Sequence, residues 1–406
     1  MGQPERLRVA FVTDIWDGGV RNGGAVSARR FVAALRRRMD VTVVTTGDPG
    51  EARADHLILP SFYVPGFRRV MREMGFPFAW PNRAVLEEVF RGSDVVHVQF
   101  PFALGMRSAS LARRLGLPLV AAFHVQPENL SYNVGLRSER LDATVYRLFL
   151  RTLYDKADEV VCPSPFARDE LVRHGLRGPV EVISNGIADG FRPGPAERFE
   201  RHRGRFLVLA VGRLAREKRL DVVVEGVRRS RNAGRIQLVV TGRGPESDRV
   251  ARLGSALPVP AEVTFVPDGD VVRLMRTADL LVHASEVELE GMAVLEAMGC
   301  GLPALVADAP LSASRQFAAS PDFLFRPGDP GDLAAHLDLL LESPGRIAAA
   351  RERCLALAPA FAFEESVRRL EDVYRRAAAR RAGASAPARA PPASRGSRSR
   401  GPPAVP

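Results

Sequence analysis

Two glutamates, Glu288 and Glu296, stand with seven residues between them in the segment SEVELEGMAVLEAMGCGLP (285–303), and Gly291 lies inside the interval. An apolar run, Leu280 to His283, precedes this segment, and Met292, Val294, Leu295 and Met298 follow at helical spacing. The pattern predicts a strand, a polar loop and a helix whose N-terminus falls at Gly291. Unpaired backbone N–H groups and the positive dipole end at such a terminus suit a phosphate, and glycine lets a ligand approach the backbone. Ionised carboxylates accept hydrogen bonds from hydroxyls, so one glutamate can face a sugar and the other a ribose diol. Taken singly, each reads more readily as a loop acid or a solvated helix glutamate.

A second candidate is VGRLAREKRLD (211–221), which places Arg213 and Lys218 in a strand-to-helix connection where cations neutralise a leaving diphosphate. Lys218 and Lys156 are the only lysines among 58 basic residues, so a lysine here points to a use for a compact point charge. The turn DIWDGGVRNGGAVS (14–27) carries four glycines, with Gly23 and Gly24 nearest the start of a helix expected over 28–37. Its amides can cradle an anion, yet it has neither GxGxxG nor Walker A spacing, which weighs against dinucleotide and P-loop readings. His124 closes the apolar run Leu119 to Phe123, and Gly242 and Gly244 form a TGRGP turn suited to a base. A lone histidine at a strand end and a glycine turn are also ordinary structural features.

Between 66 and 81, GFRRVMREMGFPFAWP sets Phe67, Val70, Met71 and Met74 at helical spacing with Arg68, Arg69 and Arg72 between them, and runs on to Trp80. Such a segment either lies in a membrane interface, lines a lipid groove, or packs as an ordinary helix.

The elements that must position these residues alternate. Six short apolar runs, 8–13, 41–45, 95–98, 119–123, 159–162 and 180–183, are separated by helical patterns, and the Gly/Pro-rich stretch 189–203 follows as a linker. Six more come after it: 205–211, 237–241, 262–265, 280–283, 304–306 and 323–325. This predicts an α/β protein of two doubly wound parallel-sheet domains, 1–190 and 191–362, facing an interdomain cleft. A last helix is expected over 363–380.

A length of 406 residues with 46% hydrophobic and 26% charged residues accommodates two such cores. No apolar run approaches the roughly eighteen residues of a spanning helix, and Val9 to Val12 is too short for a signal sequence, so the expected location is cytoplasmic. Cys162, Cys300 and Cys354 lack metal-ligand spacing. The net charge is +11, of which five arginines lie in the Ala/Pro/Ser-rich tail 381–406, expected to be disordered. The remainder suits an anionic nucleotide or lipid head group; no nucleic-acid motif accompanies it.

Together these residues resemble retaining glycosyltransferase family 4, whose members share the GT-B fold and the EX7E motif. The likeness covers most of residues 7–375 and rests on Glu288-LEGMAVL-Glu296, Gly212-Arg213, Glu217-Lys218, the GRGP turn and His124. It implies a metal-independent hexosyltransferase acting on a UDP- or GDP-sugar and an acceptor hydroxyl; the amphipathic 66–81 segment and the positive charge point first to a lipid-linked or glycolipid acceptor at the inner membrane face and second to a soluble saccharide or small metabolite. Arg213 and Lys218 would bind the donor diphosphate, Glu288 the donor sugar and Glu296 the ribose. Gly23 or Gly24 would approach the phosphate, His124 the sugar, and the last helix would cross back to the first domain; Gly291 and Met292 complete the donor set. Leu289-Glu290 departs from the family's usual small and aromatic pair, which points to this position for donor selectivity. Asp268-Gly-Asp270 is read as a turn, not a metal site, and no cofactor is expected. A nucleotide-sugar epimerase of the same fold and a silent nucleotide-sugar or membrane-binding module are the rivals.

Overall fold

The computed structural model describes residues 6–16, 23–47, 55–62, 78–79, 81–135 and 137–385. Strands β1 (Arg8–Thr13), β2 (Asp40–Gly47), β3 (His56–Phe62), β4 (Phe78–Ala79), β5 (Val95–Val98), β6 (Leu119–Ala122), β7 (Glu159–Cys162) and β8 (Val180–Val182) form one sheet in the order β4-β3-β2-β1-β5-β6-β7-β8. All neighbours run parallel except β4 against β3. Alternation along β1 explains why the sheet is covered on both faces: Ala10 and Val12 enter one buried cluster, Val9 and Phe11 another.

A second, all-parallel sheet has the order β11-β10-β9-β12-β14-β16. Its strands are β9 (Phe206–Val211), β10 (Ile236–Thr241), β11 (Glu262–Thr264), β12 (Leu280–His283), β14 (Ala304–Ala307) and β16 (Leu324–Phe325). Here Val208 and Ala210 face one core, Leu207 and Leu209 the other. The strand order reverses between β1 and β5 and again between β9 and β12, so each domain has its switch-point crevice beside those strands. The short pair β13 (Val287–Glu288) and β15 (Leu311–Ser312) fixes the loop that carries Glu288.

The expected linker is not a free tether. The chain crosses near Ile187, whose N–H donates to Phe361 O at 2.7 Å, while Phe363 N–H donates back to Ile187 O at 3.3 Å. Both interdomain crossings therefore lie side by side. Residues 189–203 are laid on the second domain: Arg276 Nε donates to Arg192 O, and Arg198 pairs with Asp279 at 3.0 Å. Glycine, proline and charge marked irregular backbone there, not absence of contacts.

The last helix, Phe363–Ser385, returns to the first domain, where it packs on the helix Gly23–Leu35 and on strands β5 and β6 and buries Val367, Leu370, Val373 and Tyr374. Tyr374 is fully buried, and its hydroxyl meets His97 Nδ1 at 3.0 Å. The helix continues past the expected end at 380; residues 386–406 lie outside those described. Asp268-Gly-Asp270 opens the helix Asp268–Thr277 instead of forming an isolated turn, because Pro267 O caps it by accepting from Asp270 and Val271. Among the described residues, no helix is long and apolar enough to cross a membrane.

Candidate active site

The carboxyl ends of β6, β9, β10 and β12 converge on a cavity of about 250 Å³ between the domains. From the first domain come Gly23, Gly24 and Arg30 of the helix Gly23–Leu35, with His124, Gln126 and Asn129 after β6. Arg213, Glu217, Lys218, Gly242, Arg243, Phe265, His283, Glu288, Met292 and Glu296 face them from the second. Gly23 and Gly24 belong to the helix itself, which begins five residues before the expected start. A Cβ on Gly23 would lie 3.6 Å from Met292 Sδ, so the two domains approach closely there.

Lys218 Nζ donates to Glu288 Oε2, and His283 Nε2 lies 3.5 Å from the same oxygen. Burial pushes the Glu288 carboxyl up, but the Lys218 ammonium and neighbouring His283 outweigh it and hold the group well below the usual carboxylate range. Burial also lowers His283, against the Glu288 carboxylate that raises it. Arg213 is paired too: its guanidinium donates to Glu217 Oε1 at 2.7 Å, while the second Glu217 oxygen is buried with no partner among the described residues. Both expected phosphate-binding cations are thus held in place by acids of their own domain.

Gly291 adopts φ 94° and precedes the helix Met292–Gly299; a Cβ there would meet Ser314 Oγ at 2.3 Å. Only glycine meets both demands, and it delivers Met292 and Ala293 to the cleft wall. On the second turn Glu296 accepts from Arg30 of the opposite domain at 2.7 Å. Gly242 would place a Cβ 1.8 Å from Gly212 O, and Gly244 one 2.2 Å from Leu214 O. Gly242 lines the cavity. Gly244 does not; it lets the GRGP turn lie flat on the Arg213 loop, with Leu214 N–H donating to Arg243 O at 3.0 Å. On that turn the Arg243 guanidinium sits 4.2 Å from the Phe265 ring centroid.

His124 stands at the cavity wall with its pKa lowered to about 3 by burial and by nearby His97. It is a neutral hydrogen-bonding group at any physiological pH. Phe67, Arg68, Arg69, Met71 and Trp80 lie outside the described residues.

Of Leu289 and Glu290, expected to set donor selectivity, Leu289 borders the cavity and Glu290 does not. Leu289 packs on the first domain's core and its carbonyl accepts from Ser164 Oγ at 2.5 Å, although it also borders the cavity. Glu290 is buried, accepts from Asn185 and does not line the cavity. Glu290 thus makes a contact between the domains, while Leu289 touches both the first domain's core and the cavity.

Sequence reasoning missed His283, Arg30, Arg243 and Phe265. The signal that singled out His124, a histidine closing a buried strand in a doubly wound sheet, applies equally to His283. Arg30 had no such signal; on a helix it is one arginine among many. Among the described residues, Glu128, Glu170 and His174 offer ligand atoms within 4.8 Å of one another. Tyr146 and Arg173 already donate to those carboxylates, at 3.2 and 2.5 Å, so the group reads as a buried polar network.

A family model for "Glycosyltransferase Family 4" matches residues 21–191, and one for "Glycosyl transferases group 1" matches 196–356. A GDP-mannose-dependent alpha-mannosyltransferase of Mycobacterium tuberculosis is 31% identical over 75% of this chain and 79% of its own length. The chain belongs to glycosyltransferase family 4. This glycosyltransferase is also 24% identical to an alpha-monoglucosyldiacylglycerol synthase of Streptococcus pneumoniae, over 74% of this chain and 70% of that one. Its GT-B fold matches that of Anabaena HepE, solved with UDP and glucose, at a TM-score of 0.71 and 18% identity, over 91% of this chain and 100% of the other.

Proposed function

We propose that this glycosyltransferase moves a hexosyl group from a nucleoside diphosphate sugar, with GDP- and UDP-sugars the candidate donors, to a hydroxyl of a lipid-linked acceptor, with retention at the anomeric carbon. The carrying observation is the contact between Lys218 and Glu288 inside the interdomain cavity. It sets a cation for the leaving diphosphate directly beside an ionised carboxylate for the sugar hydroxyls. Relatives named for GDP-mannose and for a glucosyldiacylglycerol product support the donor and acceptor classes.

In this reading Arg213, Lys218 and the amides at Met292 and Ala293 bind the diphosphate, and Glu296 takes the ribose. The bond between the anomeric carbon and the diphosphate oxygen breaks while the acceptor oxygen bonds on the same face; the acceptor proton passes to the departing diphosphate. Neutral His124 hydrogen-bonds the sugar. These protein charges take the role a metal would fill, so activity is expected to withstand EDTA. Water exclusion comes from the closed cleft, bridged by Arg30 to Glu296 and by Gln126 Nε2 to Leu311 O at 3.3 Å. The enzyme would act at the cytoplasmic face of the membrane.

Incubation of GDP- and UDP-hexoses with diacylglycerol and polyprenyl or phosphatidylinositol acceptors, read by NMR of the product linkage, tests the reading. Transfer with the donor's anomeric configuration is expected. Inversion, or interconversion of the donor with no acceptor consumed, would overturn it.

A further inference from the structure

The helix Glu139–Thr152 buries Tyr146, Phe149 and Leu150 against the first domain and turns Arg140, Leu141, Thr144, Arg147, Leu148 and Arg151 outward. These positions follow at intervals of three and four, so they share one face about 16 Å long. Leu141 and Leu148, seven residues apart on this face, are 39% and 49% exposed. No carboxylate among the described residues pairs with Arg140, Arg147 or Arg151; Glu139 and Asp155 are the exposed acids at either end of the helix. A third exposed aliphatic, Val172 at 55%, sits on the helix Pro165–Arg173, whose following residue His174 stacks on Tyr146 with ring centroids 3.7 Å apart.

We propose that this face, three arginines around Leu141 and Leu148, is a docking surface for an anionic phospholipid bilayer. Arginine stems lie along the interface while their guanidinium groups meet phosphates, and the two leucines enter the head-group boundary. The placement suits a membrane-borne acceptor, and to that extent it rests on the proposed function. Arg137, two residues before the helix, lies over the Tyr132 ring and reaches Glu286 of the second domain at 3.2 Å. Tyr132 donates to that same Glu286 at 3.0 Å. The face therefore begins at the seam where the two domains meet, and a bilayer on it would bring lipid head groups to the edge of the cleft.

Co-sedimentation of the full chain with vesicles tests this without donor, acceptor or turnover. Binding is expected to phosphatidylcholine vesicles containing about one-third phosphatidylglycerol, released by high salt, and absent with phosphatidylcholine alone. Arg140→Gln/Arg147→Gln/Arg151→Gln should weaken partitioning at least about tenfold, and the corresponding triple lysine variant should retain it. Leu141→Ala/Leu148→Ala should weaken it several-fold while leaving the salt response. An unchanged melting temperature shows that each variant folds. If the glutamine variant sediments like wild type, if wild type does not bind, or if the face instead joins two copies of the chain in sedimentation velocity, the surface is not a lipid site. Loss of lipid transfer with vesicle binding intact would reject the acceptor reading alone.

Discussion

Glu290 of the donor loop accepts hydrogen bonds from both the backbone N–H and the side-chain amide of Asn185, at 3.0 and 2.6 Å, across the domain interface. Asn185 in turn accepts from Ser27 of the helix that presents Gly23 and Gly24. One buried carboxyl therefore joins the loop between Glu288 and Gly291 to the hinge and to the glycine-rich helix. Its other oxygen is buried with no partner among the described residues. Burial pushes the group up to about 7, against the Asn185 bonds that favour ionisation.

The sign of the pH effect follows. A carboxyl raised from an ordinary 4.5 to about 7 binds its proton more tightly in the folded state, so its contribution is full below about 4.5 and is lost as pH rises through 7. Glu290→Gln keeps an acceptor for Asn185 without the titration. Subtracting its unfolding free energy from that of wild type should isolate a decline of roughly 3 kcal/mol between those pH values. A difference independent of pH would show that Glu290 is ionised throughout.

Lys218→Ala should lower kcat/KM by about 100- to 1000-fold, the scale of one lost charge contact to a developing anion. Turnover within about threefold of wild type, measured with any accepted donor, would remove Lys218 from the diphosphate site. Lys218→Arg should recover only part, because a planar fork replaces a point charge beside Glu288.

Gly291→Ala must place a side chain at φ 94° and push against Ser314 Oγ. A cost of about 1–3 kcal/mol from the backbone is expected in urea unfolding, with a steric addition. Ser314→Gly in the same chain should relieve the steric share alone. Full recovery would mean that the backbone conformation carries no strain.

His124 should show no titration above about pH 5 in histidine NMR spectra, since burial and His97 lower it to about 3. His124→Ala should reduce kcat by about 10- to 100-fold, the loss of one hydrogen bond at the reacting sugar. A ring titrating near 6.5 would place it in open solvent instead.

Much of this architecture was legible in the chain. Continuous apolar strands such as Val95–Val98 and Leu280–His283 signal sheets covered on both faces, and the residues bordering them matched the expected bounds within one or two positions. Strand β3 escaped notice because His56, Pro60 and Ser61 interrupt its apolar pattern, and its pairing with β2 supplies what local sequence does not. The two-residue strands β13 and β15 are below any periodic signal.

Sequence alone determined the family's chemistry-bearing residue types and their local settings: a glycine opening a helix after a strand, a histidine closing another, cations in a βα connection. Those are short-range facts, encoded by neighbours along the chain. Only the tertiary structure decided which charges meet. Lys218 and Glu288 are 70 residues apart, Arg30 and Glu296 are 266 apart, and Glu290 turns away from the cleft to Asn185. A buried charge takes its partner from whatever the packing brings within a few ångströms, and that is settled by the fold of both domains together.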